Sequence, residues 1–210
     1  LATELAAVLG AANVAAVDPS PAFVDAARER LADVDVRLAS AEDMPFENAS
    51  FDHALAQLVV NFMADARAGV VEMRRVVRPG GRVTAATWDY AGGMTFLRRF
   101  WDAAIALDSS AAALDEIHMR FCTAEELAAL WAQAGLSDVR TGSAVPRARY
   151  ADFDDLWRPI EGGIGPSGVY VRSLSPSARE ALRDEYRRAL GVPDGPFELA
   201  ARAWLVTGVS

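Results

Sequence analysis

Apolar positions in this chain switch repeatedly between a helical period and short continuous runs. Leu1 to Leu9 carries a helical pattern that ends at Gly10. Val14 to Val17 is a continuous apolar run of strand length, with Asp18 at its carboxyl end. A helix follows at once. Ser20 is a good N-cap, and Pro21 stands at the first helical position, where its missing N–H costs nothing. Phe23, Ala27 and Leu31, joined by Val24, are placed on its apolar face. Val34 to Ala39 reads as the next strand, SAEDMPFENASFD as a turn segment, and Phe51 to Leu58 as a third strand. Ala64 to Val77 is a helix with Val70, Met73 and Val77 inward; Arg74, Arg75 and Arg78 lie at its carboxyl end, where positive charge suits the macrodipole. Arg78 to Gly81 (RPGG) stops that helix, and Arg82 to Trp88 is a strong strand. Alternation at this spacing predicts an α/β fold with a parallel sheet and right-handed crossovers.

The second half changes character. Met94 to Leu107 is a helical pattern rich in aromatics (Phe96, Phe100, Trp101). Thr123 with Glu126 forms a capping box, and Leu127, Leu130, Trp131 and Ala134 make the apolar face of a helix closed by Gly135. Leu136 to Thr141 reads as a strand, and Asp152 to Ile160 and Pro176 to Leu190 as two helices, the second capped by Ser175 and stopped by Gly191. Phe197 to Gly208 is expected to be one final strand. The Gly-rich stretches Tyr90 to Gly93 and Glu161 to Gly168 read as loops that join insertions, so residues 1–210 are expected to form a single domain with helical insertions at 91–122 and 150–192.

Composition narrows the functional classes. A formal net charge of −8, with no Lys/Arg run, argues against a surface that grips nucleic-acid phosphates or anionic lipid. The longest apolar stretch, Leu5 to Val17, is too short to span a bilayer and lacks the basic leader of a signal peptide. Cys122 stands alone, so no internal disulfide forms and a cytoplasmic home is expected. His53 and His118 have no Cys or His at metal-site spacing, and no metal is expected.

Three stretches, in order, resemble the small-molecule type of class I S-adenosylmethionine-dependent methyltransferase: VAAVDPSPAFVDAAR, ASAEDMPFENASFDHALAQ and EMRRVVRPGGRVTAATWD. The resemblance covers nearly the whole chain. It implies a Rossmann-like methyltransferase sheet, mostly parallel with an antiparallel last strand, helices on both faces and a small helical insertion before that last strand. By position, Asp18 matches the acid that takes the cofactor's ribose hydroxyls, with Pro19 and Ser20 flanking the adenosine. Ser40, Ala41 and Glu42 match the loop that meets the adenine; Ser40 stands where family members often have Asp. Gln57 and Leu58 match positions lining the methionine arm and the transfer opening. The family's first strand and Gly-rich loop would precede Leu1, where the segment to Gly10 resembles the helix that follows that loop. The 210 residues taken alone are therefore expected to bind cofactor poorly, with the activity assigned to the parent protein.

Methyl transfer from a sulfonium is an in-line displacement, so alignment and exclusion of water dominate and no catalytic triad is needed. Trp88 and Tyr90 after the strand, with Phe62 and Trp157, are candidates to roof an apolar acceptor. An acid after a strand also reads the ribose of a nicotinamide cofactor, which keeps an oxidoreductase open; an inserted antiparallel last strand would speak for the methyltransferase. A non-catalytic binding protein on a degenerate methyltransferase fold is the other alternative.

Overall fold

In the computed structural model, which describes residues 1–210, helix α1 (Ala2–Leu9) leads into strand β1 (Ala15–Asp18), helix α2 (Pro21–Arg30) and strand β2 (Asp35–Leu38). β1 and β2 pair in parallel from Ala15↔Asp35 to Asp18↔Leu38, so Asp18 closes the ladder at its carboxyl end. Val14, Val24, Val34 and Val36 form the core beneath them, with Ala27 and Leu31 packed against it. Phe23 does not join that face: it is 68% exposed, because one residue along a helix turns the side chain about 100° away from Val24.

Strand β3 (Phe51–Gln57), helix α3 (Ala66–Val76) and strand β4 (Val77–Trp88) form the next βαβ unit, with β3 parallel to β4. Asp65 caps α3 by accepting from the Ala68 N–H, and Val70 and Met73 are buried as expected. RPGG is not a break between elements. β4 begins at Val77 and runs through it, with Gly80 at φ 81° and a register shift opposite Phe51 and His53. The segment is tied down by backbone bonds from Gly80 N–H to the Ser210 carbonyl and from Ser210 N–H to the Gly81 carbonyl, which satisfy groups a free turn would leave bare.

Helix α4 (Thr95–Leu107), helix α5 (Ala124–Gln133), strand β5 (Ser137–Ala144), strand β6 (Arg147–Tyr150), helices α6 (Phe153–Glu161), α7 (Gly165–Ser173) and α8 (Pro176–Leu190), and strands β7 (Phe197–Ala200) and β8 (Ala203–Val209) complete the chain. Two expectations are corrected. Phe197 to Gly208 is two strands, because Arg202 is drawn into a bond with the Gly93 carbonyl; β7 pairs antiparallel with β6, and β8 lies between β4 and β5. The stretch 161–168 is also not all loop: Gly165 starts α7, whose close packing needs Gly168, where a Cβ would stand 2.5 Å from the Gly163 backbone. Residue pairs Gly80–Ser210 and Thr84–Thr207 run in opposite senses, so β8 is antiparallel to β4.

The chain divides into two compact units, residues 1–87, 123–142 and 205–210, and residues 88–122 and 143–204. In the first, Trp131 is fully buried and donates its indole N–H to the Val83 carbonyl at 3.0 Å, fixing α5 to β4. The second is built around an aromatic core of Phe100, Trp101, Phe153, Trp157, Tyr170 and Tyr186. No helix is long and apolar enough to cross a membrane.

Candidate functional site

The sequence places an acid beyond the end of a parallel strand, and the structure holds Asp18 there, half-buried. Its Oδ1 accepts from the Ser20 N–H at 2.8 Å, a local turn that lets α2 start immediately after the strand. Ser20 is thus the N-cap residue by backbone position, but its own side chain makes no cap bond. Ala39 N–H donates to the Asp18 carbonyl at 3.1 Å, which brings the segment Ser40 to Glu42 alongside the same strand end. Pro19 is exposed and Ser20, Ser40 and Ala41 are half-buried.

Glu42 is committed locally. Burial works to raise its carboxyl, but N–H groups of Asp65, Glu42 and Ala64 and the Ser40 hydroxyl outweigh it and hold the group below the usual carboxylate range. The Asp65 N–H bond is 3.2 Å long, so Glu42 latches the loop before α3 to the loop after β2. Arg75 fixes the rest of that loop: its guanidinium donates to the Met44 and Phe46 carbonyls at 2.9 and 2.8 Å, to Asn48 Oδ1 at 2.8 Å and to both oxygens of Glu72. Nothing in the apolar pattern announces this hub; the one sequence signal is the pair Arg74 and Arg75 near a helix end.

At the carboxyl end of β3, Gln57 is exposed and Leu58 adopts φ 61°. A left-handed leucine costs about 1–3 kcal/mol, and such strain gathers at ligand sites. The Leu58 N–H holds the strained residue to the Ala86 carbonyl at 2.7 Å. From these strand ends a groove of about 620 Å³ runs back along the strands, lined by Ala15 to Val17 of β1 and His53 to Gln57 of β3. It is apolar apart from Asn13, His53 and Gln57. β1 pairs only with β2 and β3 only with β4, so each strand keeps one edge bare beside this groove. Of the cofactor residues expected from the sequence, Ala41 and Gln57 line the groove; Asp18, Pro19, Ser20, Ser40, Glu42 and Leu58 do not, although Asp18 directly follows the lining residue Val17.

The acceptor-side expectations divide. Phe62 is 55% exposed on a 3₁₀ turn after β3. Trp88 is half-buried. Tyr90 and Trp157, expected as roof residues, are corrected to core: Tyr90 is 6% exposed, and Trp157 is 3% exposed with its ring 6.3 Å from Phe153 and 6.4 Å from Tyr186. Aromatics on the inner face of helices fill the space between them first. Between Trp88 and Tyr90, Asp89 is buried and accepts from Arg202 Nε at 2.7 Å and Gly92 N–H at 3.0 Å. Burial would raise its carboxyl, and these donors with the Gly93 N–H outweigh it, so it stays ionised to lower pH than usual. No group of three His, Cys, Asp or Glu residues is arranged to hold a metal.

Comparison with known proteins fits this geometry. Residues 1–85 match the family model described as a methyltransferase domain. The malonyl-[acyl-carrier protein] O-methyltransferase of Serratia marcescens is 35% identical over 89 residues, 42% of this chain and 34% of that protein. The demethylmenaquinone methyltransferase of Desulfitobacterium hafniense is 28% identical over 158 residues, 67% of this chain and 62% of that protein. The solved phosphoethanolamine N-methyltransferase 2 of Haemonchus contortus, in complex with phosphomonomethylethanolamine and S-adenosylhomocysteine, superposes with TM-score 0.58 at 17% identity, covering 100% of this chain and 46% of that one. The chain spans about a third of the length of the first curated relatives it matches. Residues 1–85 are thus similar to a methyltransferase domain, and the fold is that of solved methyltransferases.

Proposed function

We propose that the protein transfers a methyl group from S-adenosylmethionine to a small-molecule acceptor by in-line displacement. The observation that carries this reading is the half-buried Asp18 carboxylate at the carboxyl end of parallel β1, with the segment 39–42 bonded to the same strand end. One Asp18 oxygen is taken by the Ser20 N–H, and the other suits a ribose hydroxyl. Pro19 and Ser20 flank the adenosine; Ser40 and Ala41 meet the adenine, with Glu42 holding their loop in place. Gln57 and the strained Leu58 line the methionine arm. When bound, the cofactor supplies a methyl group already activated on a sulfonium sulfur.

The work left to this chain is orientation and exclusion of water, which can contribute several kcal/mol to the rate. Phe62 offers an exposed apolar ring to an acceptor, and Trp88 is a further acceptor-side candidate. A general base is required only for an acceptor that arrives protonated. The oxidoreductase reading is disfavoured by β8, which lies antiparallel between β4 and β5. Calorimetric titration of the whole protein with S-adenosylmethionine, S-adenosylhomocysteine and NADH tests the reading. Binding of the first two supports it; heat with NADH alone, or with none of the three, overturns it.

A further inference from the structure

Between α4 and α5 the chain forms a strap of two 3₁₀ turns, Ser109–Leu114 and Glu116–His118. The strap lies against α4 and α7, with Ala111 buried. Its second turn is pinned at two adjacent carboxyl groups that are treated very differently. Asp115 takes both Nη atoms of Arg98 at 2.7 and 2.6 Å and also accepts from the Ile117 N–H at 2.9 Å. That pair is itself mostly buried, so the guanidinium charge is used on Asp115. Glu116, 6% exposed, is left with a neutral donor, the Nε1–H of fully buried Trp101 at 2.9 Å.

Glu116 is therefore buried beside a carboxylate, with no cation bonded to it. The charged and titratable groups facing it are Asp115 from the strap and Arg98 from α4. From α7, the Tyr170 ring lies tilted against Trp101 with centroids 5.7 Å apart, and Asp108, at the start of the strap, acts on Tyr170. Burial raises the Glu116 carboxyl; the Trp101 N–H opposes this, the Asp115 charge adds to it and Arg98 opposes it, and the net direction is upward.

We propose that the 109–118 strap is a proton-operated latch, closed on α4 while Glu116 carries its proton and loosened when that carboxyl ionises. Only a neutral carboxyl can stay in this position without a buried unpaired charge. Because the carboxyl is harder to ionise folded than unfolded, the latch is fully present below the unfolded value of about 4.5 and is lost as pH rises through the raised folded value. The strap carries His118, so the placement of that imidazole becomes linked to a proton held two residues away. This device is separate from the cofactor residues and holds whether or not methyl transfer is the activity.

The test follows the Trp101 indole N–H resonance and the exchange protection of amides 109–118 in the whole protein across pH 4 to 9, in wild type and in Glu116→Gln. In wild type, the indole resonance moves in one step centred above 4.5, and the opening constant of the strap rises by up to about tenfold per pH unit over the same range. Glu116→Gln keeps an acceptor for the indole and stays neutral, so both responses flatten with the strap closed. Strap opening that keeps its pH dependence in Glu116→Gln overturns the proposal. So does an indole step in wild type that strap opening does not follow; that comparison needs no variant.

Discussion

Replacing Asp18 removes two things that the structure separates. One oxygen accepts from the Ser20 N–H at 2.8 Å and helps start α2; the other is assigned to a ribose hydroxyl. Losing the local turn leaves one half-buried donor without its partner and costs about 0.5–1.5 kcal/mol of folding stability. Losing a charge-assisted bond to ligand costs about 1.5–3 kcal/mol of binding, a rise of about 10- to 150-fold in Kd. Asp18→Asn keeps an acceptor for Ser20 and removes only the charge, so it should preserve the melting temperature while still weakening the ligand. Calorimetry with S-adenosylhomocysteine reads binding, and thermal unfolding reads the turn. A Kd unchanged in both variants would remove Asp18 from the site. Weakening in Asp18→Ala alone, matched by its loss of stability, would reduce the residue to a turn former.

Three further outcomes follow from the geometry. Arg75→Ala should destabilise by about 1–3 kcal/mol in chemical unfolding, because it frees two loop carbonyls and leaves Glu72 with only the Met44 N–H, and Arg75→Lys should recover only part, since an ammonium cannot reproduce the fork. Equal stability of both variants and wild type would refute the hub. Tyr186→Phe should leave the melting temperature unchanged or raised, since the buried hydroxyl has no hydrogen-bond partner; a marked fall would show that the hydroxyl is satisfied. Asp89 carries a depressed carboxyl, so its clasp on Arg202 contributes stability above the unfolded value of 3.8 and loses it as pH falls through the lower folded value. Asp89→Asn should therefore lose stability at neutral pH and narrow its deficit on acidification, read by melting curves from pH 7 to 2; a deficit constant across that range would count against the clasp.

How much was legible in the sequence depended on whether local chemistry and tertiary packing agreed. The unit from Val14 to Leu31 was readable because strand, acid, proline and helix each obey local rules, and α5 because Thr123 accepts from the Glu126 N–H at 3.1 Å as its capping box predicts. RPGG misled, since two glycines after a helix normally end an element; here the chain's last residue supplies the partners that turn them into strand. Phe197 to Gly208 looked continuous because the residue that splits it, Arg202, is claimed by Asp89, distant in sequence. Tyr90 and Trp157 show the limit for site residues: an aromatic near a strand end reads the same whether it roofs a ligand or fills a core, and only burial distinguishes them. Glu116 lay inside a weakly patterned stretch and became visible only through Trp101.

The most direct measurement is residue-resolved: amide shifts of the whole protein during titration with S-adenosylhomocysteine. The account predicts saturable perturbations concentrated at Asp18 to Ser20, Ala39 to Glu42 and Gln57 to Leu58. Saturable binding that leaves those three segments unmoved while perturbing others would contradict it.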